Sequence, residues 1–427
     1  TVRFVELAEQ EYAQFVQESD RCFFTQLPAY GQVRAAEGFR VEHVGLSDGE
    51  RLWAAATVVY QPWKKAFYRA QISYGPVFAG ECPEDCSVMM EEFFEGLREH
   101  VSKDVRVLSL RLTPLIVRSF YEGNEPGPEL DQAREFDSLM ESVGGERLEK
   151  EFYDSSDVQV RFSYVKDITG MTFKQAAASC GQVVRTGFNR AGTNGVEVRF
   201  YGPDQFEVLE KVLAHTAERT DMHAITDSAF HYYRDLMERL GPEGMMMPVA
   251  VLNTRTALDQ IRTESEAVAA KIEQLDALAG QAEAAGRQLG KKQRNQLKEH
   301  RSRLDVLARR EKETEAVREE HGEEVVLAAS LFVHSPHELV YLVSGAYAQF
   351  QSYYGIYLIH RAMFEWATSH NVYRYNMYGV TGDFSENASD AGVLHFKSQF
   401  QGYIEEYVGT YDIALHPKLA SALGAVG

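Results

Sequence analysis

The sequence predicts a mixed α/β protein with two α/β units and a helical hairpin inserted in the second. Three observations lead to this prediction. A length of 427 residues exceeds what one hydrophobic core usually supports. Strand-like and helix-like segments alternate before residue 150 and again beyond residue 196. Residues 254–320, by contrast, contain no Pro, Phe, Tyr or Trp, and helix-forming residues dominate there.

The first unit is predicted from the segments before residue 150. Alternating apolar and polar residues favour strands at 51–60, 65–73 and 105–112, and helical spacing favours a helix at 86–101. Hydrophobic residues make up 44% of the chain, which excludes a disordered protein.

The second unit flanks the hairpin on both sides. Before the hairpin we expect a strand at 196–200 and helices at 205–219 and 228–240. After it we expect strands at 325–333 and 338–344, a helix at 356–369 and a strand at 373–378. The hairpin therefore interrupts one unit and does not join two.

Heptad spacing predicts that the inserted segment is an antiparallel coiled coil. Apolar residues recur every seven positions, at Ile261, Val268, Leu275, Ala282 and Leu289. Glycines at 286 and 290 break this helix, and a second apolar series follows at Leu297, Leu304 and Leu307, so we expect the chain to reverse between them. With about 30 residues per helix and a rise of about 1.5 Å per residue, the arm reaches roughly 45 Å.

Charge distinguishes the tip of this arm from the rest of the chain. The net charge is −19, so the surface as a whole repels polyanions. Between residues 287 and 310, however, nine Lys or Arg are opposed only by Glu299 and Asp305. A nucleic acid would have to bind this local patch. The alternative interpretation is an ordinary coiled coil with solvated charged flanks.

Several classes of site find no support in the sequence. Four cysteines are too few for a disulfide framework, and the Cys82–Cys86 segment lacks further ligands for zinc, so we interpret it as a loop and predict no metal site. Phosphate-binding lysine loops, nucleophile elbows and zinc-binding helix motifs are absent from the sequence. No apolar run of about eighteen residues and no signal peptide are evident, which favours a cytoplasmic protein.

Two motifs late in the chain indicate a functional site. Residues 375–384 form a predicted strand that ends in a glycine-rich turn, a usual place for functional side chains. Asp383 in this turn could accept a proton, or it could be a turn residue that bonds its own backbone. About a dozen residues later, Lys397 follows Phe396 and precedes Phe400. The alternative for Lys397 is a surface lysine that lies between these two rings.

The F-K-x-x-F element after a Y-G-x-x-G-x-F turn closely resembles the Fem family of peptidoglycan-branching transferases. The resemblance extends over nearly the whole chain, through Gln26, Tyr30, Arg34, the Tyr74-Gly75-Pro76-Val77 segment, residues 185–196, Arg219 and residues 353–357. It implies two acetyltransferase-like (GNAT-type) domains. We expect residues 1–157 and 405–427 in the first, 158–253 and 322–404 in the second, and 254–321 in the arm.

The resemblance also implies an activity: transfer of an amino acid from aminoacyl-tRNA to the stem-peptide amine of UDP-MurNAc-pentapeptide or of lipid II. An aminoacyl ester is already activated, so the enzyme needs only a neutral amine held against the carbonyl, and we expect no cofactor. A suitable acetyl-CoA pyrophosphate loop is absent from the sequence, which agrees with a different donor. A lipid-linked acceptor would require peripheral contact with the cytoplasmic membrane.

The resemblance further implies roles for individual residues. Lys397 matches the family lysine near the reacting carbonyl, and we take Lys397 and Asp383 as the catalytic candidates. By motif position the substrate-binding candidates are Arg34, Tyr74, Arg219, Tyr353, Tyr357 and Phe396. Arg34 departs from the family, which commonly has lysine there. For Arg219 the alternative is an ion pair with Glu218 or Asp221. The candidates for contact with tRNA phosphates are Lys291, Lys292, Arg294 and Lys298.

Two other functions stay open at this stage. The chain could be a tRNA-dependent transferase that tailors a peptide natural product, or a non-catalytic protein that docks through its coiled coil. The sequence does not specify the transferred amino acid, the choice between a soluble and a lipid-linked acceptor, or the oligomeric state.

Overall fold

The computed structural model describes residues 1–80, 86–153, 159–220 and 225–424 and confirms the predicted mixed α/β fold. The strands are β1 (Arg3–Leu7), β2 (Arg40–Ser47), β3 (Leu52–Trp63), β4 (Phe67–Ser73), β5 (Val77–Phe78), β6 (Val107–Thr113), β7 (Val117–Glu122), β8 (Glu125–Pro126), β9 (Gly145–Arg147), β10 (Phe162–Asp167), β11 (Val196–Tyr201), β12 (Met245–Asn253), β13 (Glu324–Ser335), β14 (Glu338–Ala346), β15 (Arg374–Val380), β16 (Tyr403–Tyr407) and β17 (Tyr411–Ala414).

The helices alternate with these strands. They are α1 (Glu9–Gln17), α2 (Pro28–Ala36), α3 (Cys86–Ser102), α4 (Asp131–Ser142), α5 (Phe173–Ala178), α6 (Gln182–Phe188), α7 (Phe206–Thr220), α8 (Asp227–Gly244), α9 (Thr254–Ala284), α10 (Lys291–His321), α11 (Gly355–Ser369), α12 (Ala391–Ser398) and α13 (Pro417–Gly424). Short 3₁₀ turns lie at Phe24–Gln26, Pro203–Gln205 and Ala348–Tyr353. Cys82, in the segment predicted as a loop, lies outside the described residues. Asp221, one alternative ion-pair partner of Arg219, also lies outside them.

The described strands form two mostly antiparallel sheets of similar design. The first has the order β1-β2-β3-β4-β6-β17-β9, with β5 beside β3, and the second has the order β11-β12-β13-β14-β15-β10-β16-β7-β8. Each contains a parallel pair, β4 with β6 and β14 with β15. A parallel pair needs a long crossover connection, and here α3 and α11 lie in those connections. The two sheets therefore share one parallel pair and one helical crossover each.

The two sheets exchange strands. β7 and β8 come from the part of the chain expected to form the first domain, yet β7 pairs with β16 in the second sheet. The boundary expected between residues 404 and 405 falls inside β16, which also pairs with β10. After β16 the chain returns to the first sheet as β17, which pairs with β6. The first sheet is therefore completed by β17 from the C-terminal part of the chain, and the second by β7 and β8 from its N-terminal part.

The predicted helical hairpin is present between β12 and β13, which are neighbours in the second sheet. Its helices α9 and α10 have 31 residues each. The Asn253 side chain caps α9 by accepting a hydrogen bond of 2.9 Å from the Thr256 N–H. The coiled-coil seam is buried near the body, at Ile261, Val268 and Leu307, and becomes half-buried toward the tip. The arm is therefore anchored at its base and solvated at its end.

The apolar core between the sheets draws on both halves of the chain. Phe23 and Tyr74 from the first part pack in one buried cluster with Leu213 and Met247 from the second. Burial of such large side chains stabilises the contact between the halves. Among the described residues, no helix is both long enough and apolar enough to cross a bilayer.

Candidate functional site

Lys397 lies in the short helix α12, and its side chain is 6% exposed. Its Nζ donates a hydrogen bond of 2.7 Å to the carbonyl oxygen of Gly379, near the end of β15. The structure therefore brings together the two motifs that the sequence singled out. Phe396 is half-buried and Phe400 is buried beside the lysine. The surface position considered for Lys397 does not occur.

Burial governs the charge of Lys397. Loss of solvent lowers the pKa of its ammonium to about 8, and the nearby Asp390 carboxylate partly opposes this effect. Asp390 is itself held by Thr381, whose N–H and hydroxyl each donate a hydrogen bond of 2.9 Å to its carboxylate oxygens. A lysine in this state is mostly protonated at neutral pH and can donate to a developing negative charge.

A buried histidine lies beside this lysine. His360 of α11 is fully buried, and its Nδ1 lies 2.7 Å from the hydroxyl oxygen of Tyr375. Its Nε2 has no hydrogen-bond partner among the described residues. Burial, and after it the charge of Lys397, lower the pKa of His360 to about 3. The imidazole is therefore neutral and adds no second positive charge to the lysine pocket, which comprises Lys397, Gly379, His360, Phe396 and Phe400.

Sequence reasoning did not identify Asp390 or His360. A weak signal existed for each: Asp390 immediately precedes the helix that carries Lys397, and His360 interrupts the apolar face of the predicted helix at 356–369. Neither pattern distinguishes a site residue from an ordinary cap or core residue.

Aromatic rings line one side of the lysine pocket. The ring centroid of Phe396 is 5.6 Å from that of Tyr357, which in turn is 6.1 Å from that of Tyr354. Gly187 permits this arrangement, because a Cβ there would come within 2.6 Å of the Tyr357 side chain. Two of the substrate-binding candidates, Phe396 and Tyr357, therefore contact each other beside Lys397.

Tyr353 has a different position from its neighbours. Its side chain is buried, and its hydroxyl oxygen lies 2.9 Å from the Thr314 hydroxyl oxygen in α10 of the arm. The carbonyl of Tyr353 accepts a hydrogen bond of 2.8 Å from the Asn194 side chain. Tyr353 thus connects α10, at the base of the arm, to the body by hydrogen bonds.

Asp383 forms a turn with its own neighbours. Its Oδ1 accepts hydrogen bonds from the Ser385 N–H at 3.0 Å and from the Ser385 hydroxyl at 2.7 Å. This local bonding is the alternative to a proton-accepting role for Asp383. A catalytic role for Asp383 stays a prediction, and its carboxylate would have to act while accepting these bonds.

A second aromatic group adjoins the other side of β15. The Phe23 ring packs against Tyr74, with centroids 4.7 Å apart, and stacks on Tyr378 at 5.8 Å. The hydroxyl of Tyr74 donates a hydrogen bond of 2.6 Å to the carbonyl of Val160. Since Tyr378 immediately precedes Gly379, this group and the Lys397 pocket share one strand end.

Arg34 is a cation framed by rings. Its guanidinium carbon lies 5.1 Å from the Tyr30 ring centroid and 4.5 Å from that of Tyr232 on α8, within cation–π range. Nη1 donates to Glu37 at 2.9 Å, while Nε has no partner among the described residues. Arg219 is exposed in the last turn of α7, and no contact among the described residues joins it to Arg34.

The four basic candidates at the tip of the arm lie in the first turns of α10. All are exposed, and none forms an ion pair within the described part of the chain; they are Lys291, Lys292, Arg294 and Lys298. The N-terminus of a helix carries a partial positive charge, which adds to theirs. The structure does not bring them near Lys397, because each arm helix is 31 residues long.

Comparison with known proteins identifies the group to which this architecture belongs. Aminoacyltransferase FemA of Staphylococcus epidermidis is 26% identical over 415 residues, which cover 96% of this chain and 95% of FemA. FemA of Staphylococcus aureus is also 26% identical over 415 residues, covering 96% and 94%. The crystal structure of FemX has the same fold, with a TM-score of 0.76 at 15% identity over 98% of this chain and 99% of that one. Residues 7–426 match the FemAB family, and the chain therefore belongs to that family.

Proposed function

We propose that this chain is an aminoacyltransferase that moves an amino acid from aminoacyl-tRNA to the stem-peptide amine of a peptidoglycan precursor. The observation that carries the proposal is the buried ammonium of Lys397, held at Gly379 where the two motifs meet. Relatives along almost the whole chain are named aminoacyltransferases, which supports an enzyme over a coiled-coil docking protein. A docking protein would gain nothing from the cost of burying this charge.

The reaction needs little from the protein besides positioning. The acceptor amine attacks the ester carbonyl carbon, the new C–N bond forms, and the C–O bond to the tRNA ribose breaks. The amine loses a proton and the departing ribose oxygen gains one. As the carbonyl oxygen becomes negative, the Lys397 ammonium can stabilise it, while Asp383 is the candidate acceptor for the amine proton.

The acceptor is the UDP-MurNAc-pentapeptide or its lipid-linked form, lipid II. Arg34 supports this assignment, because an arginine whose Nε–H has no partner within the described part of the chain can bind a diphosphate or carboxylate oxygen. We propose that Arg219 adds a second cation and that Tyr74 shapes the wall of the cleft. The enzyme would act in the cytoplasm, and lipid II would be reached by peripheral contact with the membrane. The division into two domains and an arm is part of the same proposal.

A direct transfer assay tests the proposal. Purified protein is mixed with tRNA charged with radiolabelled alanine, serine or glycine, together with UDP-MurNAc-pentapeptide or lipid II in detergent micelles. We expect label in the peptide product with one donor and one acceptor. Failure of all donors with both acceptors would reject the peptidoglycan assignment. Transfer only to an unrelated peptide would favour the natural-product alternative.

A further inference from the structure

A cavity of about 170 Å³ lies where the base of the arm meets the body. Arg310 and Thr314 line it from α10, Arg190 lines it from the loop after α6, and Tyr353 and Tyr354 line it from the segment before α11. Hydrogen bonds of Tyr353 with Thr314 of the arm and with Asn194 of the body connect the two sides of the cavity. The site is therefore built jointly by arm and body.

The cavity brings two arginines, Arg190 and Arg310, together with one acidic residue, Glu313. Among the described residues, neither Arg190 nor Arg310 forms an ion pair, whereas the neighbouring Arg303 is paired with Glu264 at 2.7 Å. Burial lowers the pKa of Arg310, the charges of Arg190 and Arg303 lower it further, and Tyr354 and the Glu264 carboxylate partly oppose this effect. Glu313 also lines the cavity, but it accepts a hydrogen bond of 2.7 Å from Ser352. Two partly buried guanidiniums in this arrangement are suited to an anion.

Aromatic rings connect this cavity to the lysine pocket. The Arg190 guanidinium lies over the Tyr354 ring, 5.3 Å from its centroid. From Tyr354 the ring contacts continue to Tyr357 and then to Phe396, the residue before Lys397. Proteins that bind single-stranded nucleic acids combine cations, which bind the phosphates, with aromatic rings, on which the bases stack. The cavity and the rings beside it supply both kinds of group.

We propose that Arg190 and Arg310 bind a backbone phosphate in the single-stranded 3′ end of the donor tRNA, and that Tyr354, Tyr357 and Phe396 guide this end toward Lys397. The inference rests on the proposed function and adds the donor's path to it. Arg310 belongs to the arm and Arg190 to the body, so the arm completes the donor site at its base.

The test is equilibrium binding of two RNA hairpins to the full-length protein. Both reproduce a tRNA acceptor stem, and only one carries the unpaired 3′ nucleotides. The wild type is expected to prefer the tailed hairpin. In the R190Q/R310Q double variant the affinity for the tailed hairpin should fall roughly tenfold or more, the scale of lost charge-assisted hydrogen bonds, while the blunt hairpin is unaffected. R309Q removes an exposed arginine next to Arg310 and is the matched control.

Each other outcome overturns the site. If R190Q/R310Q binds the tailed hairpin as tightly as R309Q does, no phosphate is bound there. If the double variant loses affinity for UDP-MurNAc-pentapeptide and retains RNA, the cavity holds the acceptor diphosphate. If inorganic phosphate displaces the tailed hairpin at submillimolar concentration, the site takes a free phosphate. If the wild type transfers from charged tRNA and the R190Q/R310Q variant binds RNA and transfers equally well, only this site is rejected. If the wild type shows no transfer, the proposed function is rejected as well. Thermal unfolding of the double variant should match the control.

Discussion

The ammonium of Lys397 donates a hydrogen bond of 2.7 Å to the carbonyl oxygen of Gly379, eighteen residues earlier in the chain. This bond connects the short helix α12 to the end of β15. The strand end has no room for a side chain at Gly379, because a Cβ there would come within 2.9 Å of the Val160 side chain. The position of the lysine therefore depends on a glycine in one motif and a helix in the other.

Replacement of Lys397 by Met should reduce the transfer rate by roughly 10² to 10³, the usual loss when a donor to a developing oxyanion is removed. Methionine keeps much of the side-chain volume and removes the buried charge, so the fold should persist. Single-turnover transfer from charged tRNA measures the effect, and thermal unfolding checks the fold. S398A is the matched control, since among the described residues the Ser398 hydroxyl bonds within its own helix, to the His395 carbonyl. Equal rates for both variants would contradict a catalytic role for Lys397.

Lys397 should titrate near pH 8, not near the ordinary value of 10.5, because burial disfavours its charged form. The transfer rate should then decrease as the pH rises through about 8, as the ammonium loses its proton. K397R keeps its charge and should lack this decrease.

The cost of burying the Lys397 charge is present below the folded pKa and is relieved as the pH rises toward 10.5, so the stability of the wild type relative to K397M should increase over that interval. NMR of ¹³C-labelled lysine measures the titration, and the Lys397 signal is the one missing from K397M. If that signal titrates near 10.5, the shift is disproved.

Local sequence patterns predicted the elements whose periodicity is strong. The helix expected at 356–369 is observed as Gly355–Ser369, and the hairpin reverses where its glycines indicated. The pairing of β7 with β16 was not predicted, because the two strands lie far apart in the chain and nothing local specifies a distant partner. The strand Arg40–Ser47 was also missed.

The candidate site was predicted only where a motif carries it. The motifs identified Lys397 and Phe396, and the structure places Lys397 at the Gly379 carbonyl and Phe396 against the Tyr357 ring. The neutral state of His360 depends on burial by residues from several elements, which one segment of sequence cannot reveal. The cavity between Arg190 and Arg310 is likewise a product of how the arm meets the body. In the sequence the densest positive charge lies at the tip of the arm, and no local pattern relates Arg190 to Arg310 at its base.

Replacement of Arg21 by Met should strongly destabilise the protein. The guanidinium lies 3.3 Å from Glu338 and 3.1 Å from Glu405, and both carboxylates are almost completely buried in the second sheet. Removal of the cation leaves two buried charges without their main partner, and breaking such a buried pair costs about 3–5 kcal/mol. The midpoint of denaturant unfolding should fall accordingly, while R98M, at an exposed arginine, should leave it unchanged.

The neutralised variant R21M/E338Q/E405Q tests the cause of this loss. Because it removes the uncompensated charges, it should recover part of the lost stability. If R21M unfolds at the same denaturant concentration as R98M, the buried ion cluster does not help to hold the halves of the chain together.

Replacement of Lys291, Lys292 and Arg294 by Ala should weaken binding of full-length donor tRNA and flatten its salt dependence. On a nucleic-acid duplex, each phosphate contact contributes about 0.9 to the slope of log K against log salt. The loss of three contacts should therefore reduce the magnitude of this slope by up to about 3. The comparison is with a triple variant of exposed basic residues on the first unit, Lys65, Arg98 and Lys103, which removes the same net charge. Binding of tRNA measured from low to moderate salt gives both slopes. If the two variants have the same slope, only the overall charge matters and the tip makes no direct contact. A decrease confined to the tip variant would assign the tip to the body of the tRNA, leaving the base of the arm for its 3′ end.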